Sequence, residues 1–383
     1  MKISISGLYQ TQFGELWDQS LEDLISKAAN GCLKDSGITI SQVQSVFIGN
    51  MLGGVNENKQ HLSSLVSQLL KTQVPVTRVE SACASGGMAL RLAIQAINSG
   101  DIDNALVVGA EKMTDLSACD ISKALMGAAS AEERTADLTF PGLYALLARA
   151  YFHQFQASER DLAKVAVKNH FHATFNPKAQ FRFPITADQV LSSTKVADPL
   201  KLLDCSPITD GAAAIFIATP KWLKAHHLKN SVYISGSAQA QDSLSLSHRT
   251  SLTSLSATKL AAHKAYAQAG ITPKDIDLVE VHDCFTIAEI LALEDLDIYP
   301  KGEAYAHINK KESYLGGKKP VNTSGGLKAC GHPVAATGIK QVIEATLQLR
   351  QQAGNRQVKA PKVAVTQNIG GTGGTAIVHV LIR

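Results

Sequence analysis

The apolar positions of this chain change period repeatedly, and the changes mark alternating strands and helices. Ile3 to Gly7 alternates as a strand does, and Leu21 to Leu33 carries apolar residues at helical spacing, with Gly37 as its stop. Val46 to Ile48 is short and β-branched, His61 to Leu70 is helical, and Val74 to Val79 is extended. A helix is predicted from about Cys83 to Ser99, with Leu90, Ala93, Ile94 and Ile97 as its buried stripe and Gly100 as its end. Ala105 to Val108 reads as another buried strand. Such alternation predicts a mainly parallel sheet covered on both faces, an α/β fold.

From Asp115 to Leu203 the rhythm breaks into scattered helices and turn elements: Phe140-Pro141-Gly142, Asn176-Pro177 and Phe183-Pro184. It then resumes. Ala213 to Ala218, Val232 to Ile234 and Leu278 to Val281 read as strands, Thr258 to Ala269 as a helix, and a further helix starts near Phe285. Pro333 to Leu349 reads as a long helix, with Val363 to Gln367 and Thr375 to Leu381 as closing strands. The second half therefore repeats the first in outline, and a pseudo-twofold between two α/β halves is expected. In each half a helix is expected to open straight after a cysteine in a glycine-containing turn, at Cys83 and at Cys330.

Composition narrows the function. The 383 residues carry 37 Lys and Arg against 33 Asp and Glu, too small an excess over this length for a nucleic-acid protein. No apolar run approaches the ~18 residues of a membrane span. The N-terminus has no secretory pattern, so a cytoplasmic location is expected. Six cysteines separated by tens of residues suggest neither a zinc framework nor disulfides. No metal is expected. The irregular stretch is locally basic, with Arg149, Arg160, Lys164, Lys168, Lys178 and Arg182 against Glu159 and Asp161 between residues 149 and 182. That is either a solvated face or a positive field that receives an anionic substrate.

Four segments carry candidate chemistry. Cys83, in Ser81-Ala82-Cys83-Ala84-Ser85-Gly86-Gly87, sits where strand gives way to helix, and a helix N-terminus favours thiolate over thiol. His332, in Gly331-His332-Pro333, is held in the turn before a helix and is a candidate base for that thiol. His282 and Cys284, in Val281-His282-Asp283-Cys284-Phe285, lie at the end of a strand, where α/β sheets place their sites, and Asp283 can cap the helix that follows. Asn368-Ile369-Gly370-Gly371-Thr372-Gly373-Gly374 separates two strands. It suits a tight hairpin or a backbone oxyanion hole better than a nucleotide loop, because no Lys-Ser or Lys-Thr accompanies the glycines.

These segments, together with Asn322-Thr323-Ser324-Gly325-Gly326 and Asp204-Cys205-Ser206-Pro207-Ile208-Thr209-Asp210-Gly211, occur in thiolase order and at thiolase spacing. The chain resembles the thiolase family over essentially its whole length. His-Asp-Cys-Phe points to the sterol-carrier-protein type and its bacterial and archaeal stand-alone relatives, since other thiolases carry Asn-Glu-Ala-Phe there. The resemblance implies a five-layered α-β-α-β-α thiolase fold. Residues 1–114 and 204–228 would form one half and 229–383 the other, with an inserted loop domain over 115–203 that contacts substrate. It implies reversible Claisen condensation and thiolysis of 3-ketoacyl-CoA through an acyl-cysteine. Cys83 would be the nucleophile, and His332 its base. His282 and His332 would polarise the thioester oxygen of the acetyl-CoA enolate, and the backbone N–H groups of Cys83 and Gly370 would hold the tetrahedral oxyanion. Ser206 matches the serine that touches the pantetheine arm, and Lys168 and Arg149 would meet CoA. Coenzyme A and its thioesters are expected as substrates, with no tightly bound cofactor, and a homodimer or homotetramer is implied.

One departure matters. Many thiolases have an acid–base cysteine in Cys-x-Gly near the C-terminus, where this chain has Asn368. In the sterol-carrier-protein type the cysteine of His-Asp-Cys-Phe takes that task, which assigns it to Cys284. Cys330 is then structural, and Cys32, Cys119 and Cys205 have no comparable context. No room is expected for a lipid-transfer fusion domain. The rivals are a β-ketoacyl synthase-like condensing enzyme, which would not need Cys284 as a proton shuttle, and a non-catalytic acyl-CoA-binding scaffold, which would not need the full set.

Overall fold

A computed structural model describes residues 3–228 and 232–383. Strands β1 (Ile3–Gln10), β2 (Val46–Gly49), β3 (Val76–Val79), β4 (Asn104–Glu111) and β7 (Gly211–Ala218) belong to the first half. Strands β5 (Lys195–Ala197) and β6 (Leu200–Lys201) form a small separate hairpin. Strands β8 (Tyr233–Gln241), β9 (Leu278–Glu280), β10 (Val363–Gly370) and β11 (Thr375–Ile382) complete the second half.

The internal repeat is visible in the pairing. In the first half the order is β3-β2-β4-β7-β1, and in the second it is β9-β10-β11-β8. Each half pairs two strands in parallel, β2 with β4 and β9 with β10. Each then continues through two antiparallel contacts, β4-β7-β1 and β10-β11-β8. The parallel contact of β3 with β2 has its counterpart in the bridge of Val321 to Val279. The halves meet at β1 and β8 through Ile3↔Ile234 and Ser4↔Tyr233, making one mixed sheet of nine strands among the described residues. Five of its eight pairings are antiparallel, so the mainly parallel sheet expected from the alternation does not form: β7, β1, β8 and β11 follow one another in the sheet without parallel crossovers. The expected division between residues 228 and 229 falls beside residues 229–231, which lie outside the described residues.

The helices Ser85–Ser99 and Thr337–Leu349 pack on each other and on strands of both halves, forming the central layer. The helix Leu21–Ser36 covers one outer face and Ser256–Ala269 the other. Strand β7 shows why its run is apolar throughout. Ala213, Ile215 and Ile217 face the central core, while Ala212, Ala214, Phe216 and Ala218 face the outer one. Gly37 and Gly100 close their helices in the left-handed conformation, as the sequence predicts.

The central helices differ from expectation at their starts. Thr337, not Pro333, opens the last long helix, and Pro333 to Ala336 form turns. Cys330 ends a short helix, Gly326–Cys330, instead of preceding one. Those turns bring the Ala335 carbonyl so close to β4 and the helix Ser85–Ser99 that a Cβ on Gly86 or Gly109 would meet it at 2.2 or 2.3 Å. Glycine is required at both crossings, and the crossing sets the two turns that carry Cys83 and His332 side by side.

Candidate active site

Cys83 stands in a sharp turn between β3 and the helix Ser85–Ser99, and Ala82 before it is held at φ +50°. A side chain in the left-handed region is strained, and such strain concentrates at functional turns. His332 stands in the facing turn. Its backbone N–H donates to Thr209 Oγ1 at 3.0 Å, and its Nδ1 lies 2.7 Å from Thr337 Oγ1. When the Thr337 hydroxyl donates to the Pro333 carbonyl at 3.2 Å, Nδ1 of His332 donates to Thr337 and Nε2 keeps its lone pair. His332 is therefore set as a base.

His282 completes the group. Its ring lies edge-on to His332, with centroids 4.9 Å apart at 88°. The Cys83 sulfur and one ring nitrogen from each histidine all fall within 4.8 Å of one another. The His282 backbone N–H donates to Gln367 Oε1 at 2.9 Å, which fixes the end of the strand. Asp283 does not cap the helix that follows it, whose N-cap position is Phe285; it accepts instead from the backbone N–H groups of Leu327 at 2.6 Å and Lys328 at 3.2 Å, tying this strand end to the short helix before His332.

A cavity of about 200 Å³ opens on this group, lined in part by Cys83, His332, Cys284 and Ser206. Ile121, Leu125, Phe140 and Tyr144 form part of its wall. Ser206 is held by its backbone N–H, which donates to the Cys284 carbonyl at 2.9 Å. Gly370 lies against the nucleophile turn, where a Cβ would meet the Ser81 carbonyl at 2.7 Å. The next residue, Gly371, lines the cavity and aims its backbone N–H at the Cys83 sulfur.

The electrostatics correct one expectation. Burial pushes the Cys83 thiol up to about 12, and the Gly371 N–H only partly opposes it; the buried carboxylate of Glu111 adds to the rise. Burial likewise holds His332 down at about 3, with Lys340 as the second cause. The resting pair is a neutral thiol beside a neutral imidazole, not the thiolate expected from the helix terminus. Cys284 is raised chiefly by burial as well.

Two expected CoA contacts fare differently. Lys168 is fully buried, with Nζ 2.7 Å from Glu289 and 3.0 Å from the Val321 carbonyl. It cannot reach a phosphate in solvent and is not the CoA contact expected of it: its ammonium is spent inside the fold. Arg149 is 63% exposed and pairs with Asp198, away from the cavity lining. Cys330 is buried outside that lining, 3.5 Å from Asn176 Nδ2. Cys205, which has no special context in the sequence, does line the cavity. Sequence reasoning also missed Thr337, Tyr144 and the contacts of Asn368. Tyr144 is fully buried and donates to the Gly371 carbonyl at 3.0 Å. His332 and Thr337 are five residues apart with turns between them, a spacing that no helix face brings together, so nothing in the sequence signals their contact.

Comparison with known proteins places this geometry. Residues 3–221 match the family model described as Thiolase, N-terminal domain, and residues 238–383 match the one described as Thiolase C-terminal domain-like. The chain is similar to an acetyl-CoA acetyltransferase of Methanothermobacter thermautotrophicus, 46% identical over 100% of this chain and 99% of that protein. It is 32% identical to sterol carrier protein 2 of Gallus gallus, over 98% of this chain and 71% of that one. Among solved structures, one titled Ltp2-ChsH2(DUF35) aldolase superposes with a TM-score of 0.84 at 24% identity, covering 99% of this chain and 97% of its own; the likeness carries the fold alone.

Proposed function

The chain belongs to the thiolase family, and we propose that Cys83, His332, His282 and Cys284 carry out its acyl transfer. The enzyme is an acyl-CoA:acetyl-CoA C-acyltransferase that makes and breaks 3-ketoacyl-CoA by reversible Claisen chemistry. The observation that carries the assignment is the convergence of the Cys83 sulfur and two imidazole nitrogens within 4.8 Å of one another, with Cys83 and His332 in the cavity wall and His282 buried behind them.

In thiolysis, the Cys83 sulfur attacks the ketone carbon of 3-ketoacyl-CoA as its proton passes to Nε2 of His332. The oxyanion forms against the backbone N–H groups of Cys83 and Gly370, with that of Gly371 beside them. As the carbonyl re-forms, the carbon–carbon bond breaks and its electron pair moves into the enolate of acetyl-CoA. The enolate oxygen takes hydrogen bonds from His282 and from the now protonated His332. Cys284 delivers a proton to the enolate carbon, and acetyl-CoA leaves. The proton held by His332 then returns Cys284 to the thiol, which leaves His332 neutral. A second CoA thiol attacks the acyl-Cys83 as its proton passes to His332; the tetrahedral intermediate collapses, acyl-CoA leaves, and His332 gives that proton to the departing Cys83 sulfur. Condensation runs the same steps in reverse. A neutral resting pair suits this order, because charge appears only when a carbonyl is present to receive it.

Coenzyme A thioesters enter as substrates, with no resident cofactor. Residues 1–114 with 204–228 and residues 229–383 act as the two catalytic halves. The loop domain over 115–203 supplies part of the acyl wall through Ile121, Leu125, Phe140 and Tyr144. Ser206 borders the path of the pantetheine arm, and Arg149 remains available to a CoA phosphate if its pairing with Asp198 opens. The protein works in the cytoplasm as a homodimer or homotetramer. Among the described residues, no helix is long and apolar enough to cross a membrane.

Acetyl-CoA release from acetoacetyl-CoA plus free CoA tests this function. A condensing enzyme driven by decarboxylation would consume malonyl thioester instead, and a scaffold would bind without turnover.

A further inference from the structure

We propose that Asn368 is a positioning residue that locks His282 as the tautomer protonated on Nε2, so that His282 serves only as a hydrogen-bond donor to the enolate oxygen. The inference rests on the thiolase reading of the site and assigns a task to the residue that replaces the usual second cysteine.

The bonding of Asn368 fixes its amide without ambiguity. Its Oδ1 accepts from the Gly87 backbone N–H at 3.2 Å, and only an oxygen can face that donor. The amide nitrogen then lies 3.2 Å from the Cys83 carbonyl and 3.0 Å from Nδ1 of His282. Its two protons go one to each. Since the amide nitrogen can only donate, Nδ1 of His282 must present a lone pair, and the ring proton sits on Nε2. That N–H is buried and has no partner among the described residues. An unpaired buried donor costs free energy, and this one is retained beside the sulfur and the second imidazole, where a substrate oxygen can take it.

The surroundings are shaped for this amide. A Cβ on Gly87 would lie 2.8 Å from Asn368 Oδ1, and one on Gly338 would lie 2.3 Å from it. Both central helices give up a side chain where the amide passes between them. The two histidines consequently hold opposite tautomers. Thr337 leaves His332 with a bare Nε2, a base, while Asn368 leaves His282 with a protonated Nε2, a donor. The same lock denies the trio a third lone pair, so it is built as nucleophile, base and donor and not as a metal site.

The test uses the whole enzyme with ¹⁵N-labelled histidine, the His282 signals being identified by their loss in His282→Gln. In the wild type, His282 should show a bare Nδ1 and a protonated Nε2. In Asn368→Asp the carboxylate should draw the proton to Nδ1, and condensation should fall about 10²- to 10³-fold, the cost of one oxyanion donor, with kcat affected more than KM. In a His282→Gln background, the same change should cost less than about tenfold more, because a residue that acts through another adds little once that other is gone. Should Asn368→Asp not fold, Asn368→Ala is read the same way and should show a mixture of tautomers. The proposal is overturned if His282 keeps its bare Nδ1 in the folded variants, or if Asn368→Asp loses as much rate without His282 as with it. A wild-type enzyme that forms no acyl-cysteine would instead overturn the thiolase reading and leave the tautomer assignment standing.

Discussion

Replacing Thr337 by valine isolates what the His332–Thr337 contact does for the base. Valine keeps the volume and the β-branching, so the start of the helix Thr337–Leu349 should survive. The Pro333 carbonyl loses the 3.2 Å hydroxyl bond but still accepts from the backbone N–H groups of Ala336 at 2.9 Å and Thr337 at 3.2 Å. What is lost is the acceptor 2.7 Å from Nδ1 of His332, a buried group with no other partner there among the described residues. Leaving a buried donor unpaired costs about 1–3 kcal/mol. At about 1.4 kcal/mol per factor of ten, acylation should slow roughly 5- to 150-fold. The assay is a single-turnover burst of Cys83 acylation by saturating acetoacetyl-CoA, followed by rapid quench. Thr337→Ser returns the hydroxyl and should recover most of the rate. Wild-type acylation in Thr337→Val, or a serine variant as slow as the valine one, would refute the assignment of His332 as a base oriented by Thr337.

Three further outcomes follow from the same geometry. With Cys83 raised to about 12 and His332 lowered to about 3, both chiefly by burial, Cys83 alkylation by iodoacetamide in the free enzyme should rise roughly tenfold per pH unit from 7 to 9; a flat profile would reveal a resting thiolate. Cys284→Ala should still acylate Cys83 but lose about 10²- to 10⁴-fold in deuterium exchange into acetyl-CoA, whereas Cys330→Ala, buried outside the cavity lining, should exchange nearly normally; the reverse pattern would move the shuttle to Cys330. Lys168→Met strands Glu289 and should destabilise the fold by about 3–5 kcal/mol in denaturant unfolding, with KM for CoA thioesters unchanged in the fraction that folds; a raised KM without lost stability would restore Lys168 to the CoA site.

The fold was legible where burial acts on a whole segment. Runs such as Ala212 to Ala218 are apolar at every position because both faces of β7 are covered, and the repeat of the two halves shows in the order of such runs. The motif residues were legible because turns that end strands collect Gly, Pro and His in short recognisable strings. What failed depends on contacts between distant segments. Lys168 reads as a surface charge on a helix, and only the fold reveals Glu289 opposite it. Pro333 reads as a helix start, yet the chain spends four residues on turns because the Ala335 carbonyl must pass between Gly86 and Gly109. The expected thiolate at Cys83 follows from a local rule about helix ends, and enclosure of the site outweighs it. Asn368 reads as a missing cysteine, and its three bonding partners are residues 83, 87 and 282, invisible from its neighbours.

The central claim is that acyl groups pass through Cys83. The direct measurement is mass spectrometry of the intact and digested enzyme, quenched in acid within its first turnover on acetoacetyl-CoA. One acetyl group should appear per active chain, on the peptide that holds Cys83. It should vanish when free CoA is added and be absent from Cys83→Ser quenched at the same time. An acetyl group found instead on Cys205 or Cys284, or steady release of acetyl-CoA with no adduct at any cysteine, would contradict the account.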